Sequence, residues 1–381
     1  MKVAMADPSL FTGRYDDSLC AALGEQGADV TLLGRPMRPT DAITPRGYRY
    51  APHFFRRSEA LRARLGEGRA FRLLKAAEYG AACAFGSIDA LSHADVTHFQ
   101  WLPLAPADRL LLRRLKGRTA LVHTVHNADA YHADAGLQGR GYRVLLDMFD
   151  ALIVHGETTR RALEEQGVEP RRIHVTPHPP MRLAAATPAD LAAIGDPGAP
   201  RLLFFGTIRP YKGVDLLFEA CLALWKAGHR FELALAGKPF MDIHPLLESV
   251  RAAGFADRLI TDLGFLTEPR LDAHMRKADV IVFPYRQIDS SGAFLSALHH
   301  GKAMVTSDVG MFASLPDEAA VRTPAGNPAA LAQALLRLLE SPAIRQTAGA
   351  AARAYGESMG SWKDIALATI DIYRSVAAQG T

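Results

Sequence analysis

The chain is poor in cysteine. Three occur in 381 residues, Cys20, Cys83 and Cys221, far apart and without paired spacing. That excludes a disulfide framework and a cysteine-held zinc site, and it suits a reducing compartment, the cytoplasm. No apolar run approaches the ~18 residues that a membrane-spanning helix needs. The opening stretch MKVAMADPSLF is interrupted too soon for a signal peptide, and Met1–Ala6 reads as a buried first strand. No Asp-x-Asp pair occurs, and no His/Cys/Asp cluster has metal-ligand spacing, so a divalent ion held by protein carboxylates is not expected. The net charge is only +4, and no recognition motif accompanies the basic residues, which argues against a nucleic-acid partner. Internal repeats and low-complexity tracts are also missing.

What is present is a regular alternation of short β-rich runs with helical periodicity. Strand candidates in the first half are 2–6, 29–34, 96–101, 120–127, 151–156 and 173–178. In the second half they are 201–206, 231–237, 259–265, 280–285 and 303–307. Continuous apolar strands alternating with helices signify parallel sheets covered on both faces. The length allows two domains of ordinary size. The break falls in HPPMRLAAATPADLAAIGDPGAP (178–200), rich in Pro, Ala and Gly, which reads as a linker around a short helix. The expected architecture is α/β, two Rossmann-like, doubly wound parallel-sheet domains facing across a cleft. The first is 1–178, the linker 179–200 and the second 201–357, with the helix 358–381 expected to pack back on the first. Such sheets bind ligands at the carboxyl ends of their strands.

Three places carry residues suited to chemistry. The first is RLLFFG-TIRPYKG-VDLLFEACLALWKAG, a strand that stops at Gly206, a turn with Arg209 and Lys212, and a helix from about Val214. A helix beginning there directs backbone N–H groups and a positive dipole at the turn, and the two cations add a site for a diphosphate. The plainer reading is a surface turn with solvated cations. The second is a polar loop, Asp289-Ser290-Ser291-Gly292, leading from a buried strand into a helix, Ala293–His300, that ends at Gly301. Its residues cap a helix well, and they also let bare N–H groups approach an oxygen-rich ligand. The third is His126-Asn127, where a first-domain strand gives way to a loop. A lone strand histidine is often a satisfied core residue, but a carboxyl-end position favours function. His132, His155, His178, His299 and His300 carry no such signal.

Charge is unevenly spread. Residues 46–75 hold nine cations against Glu59 and Glu67, interleaved with Phe54, Phe55, Leu61, Leu65, Phe71, Leu73 and Leu74. This stretch is either a solvated helix face or a surface for an anionic membrane, such as the inner face of the plasma membrane.

At FFGTIRPYKGVDLLFEA, GFLTEPRLDAHMRKADVIVFPY and GKAMVTSDVG the chain resembles the bacterial family-four glycosyltransferases of GT-B fold, over nearly its whole length. The resemblance implies a nucleotide sugar held by the second domain, an acceptor by the first, transfer with retention of configuration, and no metal cofactor. Lys212 looks like the family's diphosphate lysine and His126 like the histidine near the donor sugar. Gly264, Phe265 and Leu266 look like the backbone that holds the nucleobase. Phe11 to Tyr15, with Gly13, Arg14 and Tyr15, is similar in place to the glycine-rich loop. The chain departs from the family at Thr207, where an Arg is usual and Arg209 is the substitute. It departs again where the Glu-x7-Glu signature falls on Ile288 and Ser296. Asp289 is the adjacent carboxylate for the sugar hydroxyls, and Ser296 keeps a hydroxyl for the ribose.

The expected function is therefore hexosyl transfer from a UDP- or GDP-sugar to a glycan or a polyprenyl- or other lipid-linked acceptor. Arg209, Lys212, His126 and Asp289 would do the chemistry. Gly206, Thr207, Ser290, Ser291, Gly292 and Ser296 would bind the donor, and Gly13, Arg14, Tyr15 and Asn127 would line the acceptor side. A non-catalytic nucleotide-sugar-binding protein of the same fold, or a sugar-nucleotide epimerase, are the alternatives.

Overall fold

A computed structural model describes residues 1–38, 41, 43–66, 68–86, 88–126, 141–288 and 290–378. The chain divides into two compact units, Met1–His178 with Gly360–Thr381, and Pro179–Met359.

The first unit is built on seven strands: β1 (Lys2–Ala6), β2 (Asp29–Gly34), β3 (Arg49–Pro52), β4 (Val96–Phe99), β5 (Ala120–Val125), β6 (Ala151–Val154) and β7 (Ile173–Val175). All pair in parallel, in the order β3-β2-β1-β4-β5-β6-β7. Their buried apolar runs, such as Val3–Ala6 and Ala151–Val154, need cover on both faces, and helices supply it. The helix Trp362–Ala377 starts at a capping box between Ser361 and Asp364 and buries Ile365, Ala366, Ile370 and Tyr373. It packs on the helix Gly13–Glu25, and Tyr373 Oη lies 2.6 Å from His98 Nδ1 beneath the sheet.

The second unit has six strands, β8 (Arg201–Phe205), β9 (Glu232–Gly237), β10 (Leu259–Leu263), β11 (Val280–Phe283), β12 (Ala303–Ser307) and β13 (Val321–Thr323). They too are parallel, ordered β10-β9-β8-β11-β12-β13. Strand order reverses between β1 and β4 in one sheet and between β8 and β11 in the other. These switch points are where open α/β sheets leave a crevice at the carboxyl ends of their strands.

The two strands that the sequence pattern does not announce, β3 and β13, are both sheet edges. β3 is half-buried or exposed along its length, so its residues carry no apolar run. A second difference concerns residues 179–200. Expected as a linker, they belong to the second unit. The helix Pro188–Ile194 packs on the helix Glu268–Lys277, and the N–H groups of Ala184 and Ala186 donate to Glu268 and Asp272. The segment is held to the second unit by these backbone hydrogen bonds and by buried Ile194.

Candidate functional site

In the second unit the residues expected around the diphosphate converge at the β8/β11 switch point. Beyond β8 the chain continues to pair with the segment after β9. Gly206 N–H donates to Ala236 O, Ile208 N–H to Lys238 O and Phe240 N–H to Ile208 O. Gly206 has φ 100° and Gly237 φ 143°. A Cβ on Gly237 would stand 1.8 Å from Gly206 O, so the two turns close only with glycine there. A single 3-10 turn, Pro210–Lys212, then leads through Gly213 into the helix Val214–Lys226. Arg286 pins this turn, donating to Pro210 O at 3.0 Å and to both oxygens of Asp215 at 2.8 and 2.6 Å.

Lys212 is the central group. It is 8% exposed, its ammonium lies 5.1 Å from the centroid of the Tyr285 ring, and a Cβ on Gly206 would stand 3.6 Å from it. Among the described residues it makes no hydrogen bond or ion pair. Burial, and then the neighbouring Arg209 charge, push its pKa down to about 8. A buried cation without an anion is costly, and a bound diphosphate would remove that cost. Arg209 is half-buried, with its guanidinium 4.2 Å from the centroid of Phe240. Lys238 lies 4.2 Å from the ring centroid of Phe265 and 5.3 Å from that of Phe240. Phe240 and Phe265 remain 44% and 59% exposed. Together these residues form a shelf of aromatic faces and cations at the carboxyl ends of β8, β9 and β10.

Gly264, with φ 139°, donates its N–H to Gly237 O at 3.1 Å and places Phe265 on that shelf, with Leu266 half-buried behind it. Thr207 is half-buried beside Gly206. Ser291 caps the helix Gly292–Ala297 by accepting from Phe294 N–H at 3.2 Å, while its own N–H donates to Met311 Sδ. The helix is shorter than expected, because Leu298–His300 tighten into a 3-10 turn before Gly301. Ser296 is buried and donates its hydroxyl to Gly292 O at 2.8 Å. Ser290 is half-buried beside Ser291. Asp289 lies outside the described residues, as does Asn127 in the first unit.

Tyr285 had no signal of its own in the sequence. It is fully buried, and burial raises the pKa of its hydroxyl. Ser291 is near enough to offset part of that rise, but among the described residues the hydroxyl makes no hydrogen bond of ordinary geometry.

In the first unit, of the stretch Phe11 to Tyr15 expected as a loop over phosphates, Phe11 and Thr12 lie in a turn, whereas Gly13–Tyr15 open the helix Gly13–Glu25. Gly13 is close under Ile43, and Arg14 is half-buried. Tyr15 is only 3% exposed. Its ring sits among His126, His155, His178 and Trp362, with centroids 4.9 to 5.3 Å away. His126 is stacked on Trp101 at 5.4 Å. The histidines without a sequence signal, His155 and His178, are thus neighbours of the one singled out. They could not be found from spacing, because each ends a different strand.

The basic segment forms the helices Arg56–Leu65 and Arg69–Ala81. Arg56, Arg57, Arg64, Arg69 and Arg72 are exposed, and so are Leu61, Leu65, Leu73 and Phe85, the last two at 72% and 89%. Arg38, Arg56 and Arg62 border a groove of about 490 Å³ with Met37, Ala60 and Ala63 in its wall. No helix among the described residues is long and apolar enough to cross a membrane, and no group of His, Cys, Asp and Glu among them could hold a metal ion.

Two family models match the chain, Glycosyltransferase Family 4 over residues 12–179 and Glycosyl transferases group 1 over residues 199–341. The chain is 30% identical over 245 residues to a GDP-mannose:glycolipid 4-beta-D-mannosyltransferase of Xanthomonas campestris pv. campestris, a match covering 60% of this chain and 65% of that one. It is 30% identical over 289 residues to a D-inositol 3-phosphate glycosyltransferase of Kineococcus radiotolerans, with 67% and 66% covered. The chain thus spans about 65% of the length of these curated relatives. A sucrose-phosphate synthase structure from Thermosynechococcus elongatus aligns over 100% of both chains with a TM-score of 0.77 at 19% identity. The two parallel sheets and this likeness establish the GT-B fold.

Proposed function

Because the chain belongs to the group 1 and family 4 glycosyltransferases, we propose that it transfers a hexosyl group from a UDP- or GDP-sugar to a glycan or lipid-linked acceptor. The observation that carries this reading is Lys212, a buried lysine at the β8/β11 switch point whose ammonium has no hydrogen-bond or ion-pair partner among the described residues. It is a place for the diphosphate of a nucleotide sugar. Arg209 and Lys212 neutralise the charge that grows on the leaving diphosphate as the anomeric bond breaks. The Phe240–Phe265 shelf takes the base, and the Ser290–Ser291–Gly292 turn meets the sugar. Asp289 orients the sugar hydroxyls and His126 acts near the sugar ring. The acceptor hydroxyl attacks the anomeric carbon, and its proton passes to the leaving phosphate, so configuration is retained. The two cations fill the role that a divalent ion has elsewhere.

The acceptor is assigned to the first unit. The exposed Arg and Leu residues of the helices 56–65 and 69–81 would rest on anionic lipid at the inner face of the plasma membrane. The X. campestris relative acts, by its name, on a glycolipid with a GDP-linked donor. A cytoplasmic enzyme of cell-surface polysaccharide or glycolipid synthesis fits both features.

The test is to incubate the protein with UDP- and GDP-hexoses and a polyprenyl-phosphate-linked sugar, detect product by mass spectrometry, and assign its anomer by NMR. A product dependent on both substrates supports transfer. A second reading, a non-catalytic binder, draws on Ile288 and Ser296 at the places of the family's two glutamates. Donor binding without product or free sugar under any pairing would favour it.

A further inference from the structure

The ring nitrogens of His126 and His155 form a chain whose proton positions can be worked out from one end. His155 Nδ1 lies 3.2 Å from Thr176 O. A carbonyl oxygen only accepts, so Nδ1 carries the proton. Burial holds the pKa of His155 down to about 4, so the ring is neutral at physiological pH and Nε2 is bare. That bare nitrogen lies 3.2 Å from His126 Nδ1, which must therefore donate to it. His126 is 8% exposed, and burial first, with repulsion from the neighbouring His155, His178, His123 and His98 should they protonate, holds its pKa well below the ordinary value. With one proton placed on Nδ1, its Nε2 is the bare atom. Nε2 faces the side-chain amide of Gln100, 2.9 Å from the atom assigned as Oε1, while the amide nitrogen lies 3.0 Å from Met5 Sδ. Two acceptors would then face each other, so the amide must be turned. Its N–H donates to His126 Nε2 and its oxygen lies toward the sulfur, an exchange that leaves the shape unchanged.

We propose that His155 is a positioning residue for His126, fixing the proton on Nδ1 and leaving Nε2 as the bare nitrogen held by Gln100. No sequence pattern links these residues. They end β4, β5 and β6, and the parallel register brings them together. Thr176, just past β7, anchors the far end, and Trp101 and Tyr15 hold the His126 ring by its face and edge. The consequence for transfer rests on the function proposed above, whereas the tautomer does not. A His126 ring fixed as neutral and Nδ1-protonated presents one electrostatic edge to the sugar rather than a mixture of two. In the turned orientation the Gln100 amide oxygen gains no hydrogen bond from the Met5 thioether, so Gln100 is free to turn back and accept when Nε2 must take a proton.

Long-range ¹⁵N–¹H NMR of the full chain labelled at histidine tests this directly. In the wild type, His126 should show a protonated, pyrrole-like Nδ1 and a bare, pyridine-like Nε2. In His155→Ala the Nδ1–H loses its acceptor and the proton should move to Nε2, donating to Gln100 Oε1. In His155→Gln, whose amide oxygen can accept, the wild-type tautomer should persist. If the function holds, kcat falls on the order of tenfold or more in His155→Ala and recovers in His155→Gln, as expected when a ring is left in the wrong tautomer. An Nε2-protonated or doubly protonated His126 in the wild type overturns the proposal, even if no variant folds. An unchanged His126 tautomer in His155→Ala overturns it as well. A correct tautomer with no transfer in any protein would instead count against the function.

Discussion

The ammonium of Lys212 lies over the ring of Tyr285, 5.1 Å from its centroid, with no anion paired to it among the described residues. The aromatic face gives partial compensation, and burial still pushes the pKa of this lysine down to about 8. A bound diphosphate favours the charged form. The affinity for a nucleoside diphosphate should therefore hold steady below pH 8 and weaken as pH rises beyond it. Between pH 8 and 10 binding should take up close to one proton, which calorimetry in buffers of different ionisation enthalpy reads as a buffer-dependent heat. For folding the sign is opposite: the unfolded lysine titrates near ~10.4, so this group lets stability rise with pH between those values. An affinity that stays flat to pH 10 would contradict the placement of Lys212.

Gly213 joins the cationic turn to its helix with φ 64°, and a Cβ there would stand 2.0 Å from Pro284 O. The clash is with backbone, which cannot step aside as a side chain can. Gly213→Ala should cost on the order of 2–4 kcal/mol, seen as a lower urea midpoint, and should weaken donor binding in whatever fraction folds. A midpoint equal to wild type would mean that β11 and the turn are not packed as described.

Phe240 and Phe265 are exposed and hold little of the core. Phe265→Ala and Phe240→Ala should leave the melting temperature of the free protein nearly unchanged and weaken nucleotide binding by about 1–3 kcal/mol each, the usual worth of a base stacked on an aromatic ring. Loss of melting temperature without loss of affinity would assign these rings to packing instead.

Asp7 and Asp16 are both fully buried in the first unit, and Thr12 Oγ1 lies 3.4 Å from an oxygen of each. The remaining oxygens, Asp7 Oδ1 and Asp16 Oδ2, have no hydrogen-bond partner among the described residues, an arrangement that one proton shared between the carboxyls satisfies. Burial, and then the facing carboxylate, raise the Asp16 pKa well above the ordinary value; burial raises that of Asp7. A carboxyl raised on folding costs stability as pH climbs past its unfolded value of ~3.9. Asp16→Asn supplies the N–H permanently. It should stabilise the protein at pH 8 by about 1–2 kcal/mol relative to wild type, with the difference fading toward pH 4. Destabilisation that does not vary with pH would show that no proton is shared.

Much of this was legible in the chain itself. Strands β1, β2 and β12 have the expected bounds, because each is an apolar run closed by a turn residue. Lys212 and Arg209 stood out because a cation pair follows a strand-ending glycine. Lys238, Phe240 and Tyr285 did not, since each is unremarkable among its neighbours and gains meaning only when β9 and β11 flank β8. His155 and His178 looked like ordinary strand-end histidines for the same reason. The first turn at Gly13 read as a loop because Pro8, Gly13 and the polar residues between them mask the helix start. Of the edges, β3 is too short and too exposed, and β13, with three residues, too short, for alternation to show.

The central claim is that the turn after β8 grips a diphosphate. Titration calorimetry of the wild type and Lys212→Ala with a nucleoside diphosphate and its monophosphate, for both uridine and guanosine, tests it most directly. The wild type should bind one diphosphate at least tenfold more tightly than the matching monophosphate. Lys212→Ala, with unchanged circular dichroism, should lose most of that difference, about 1.5–3 kcal/mol for a charged hydrogen bond. Equal affinity of the wild type for diphosphate and monophosphate, or a Lys212→Ala protein that keeps the preference, would contradict the account.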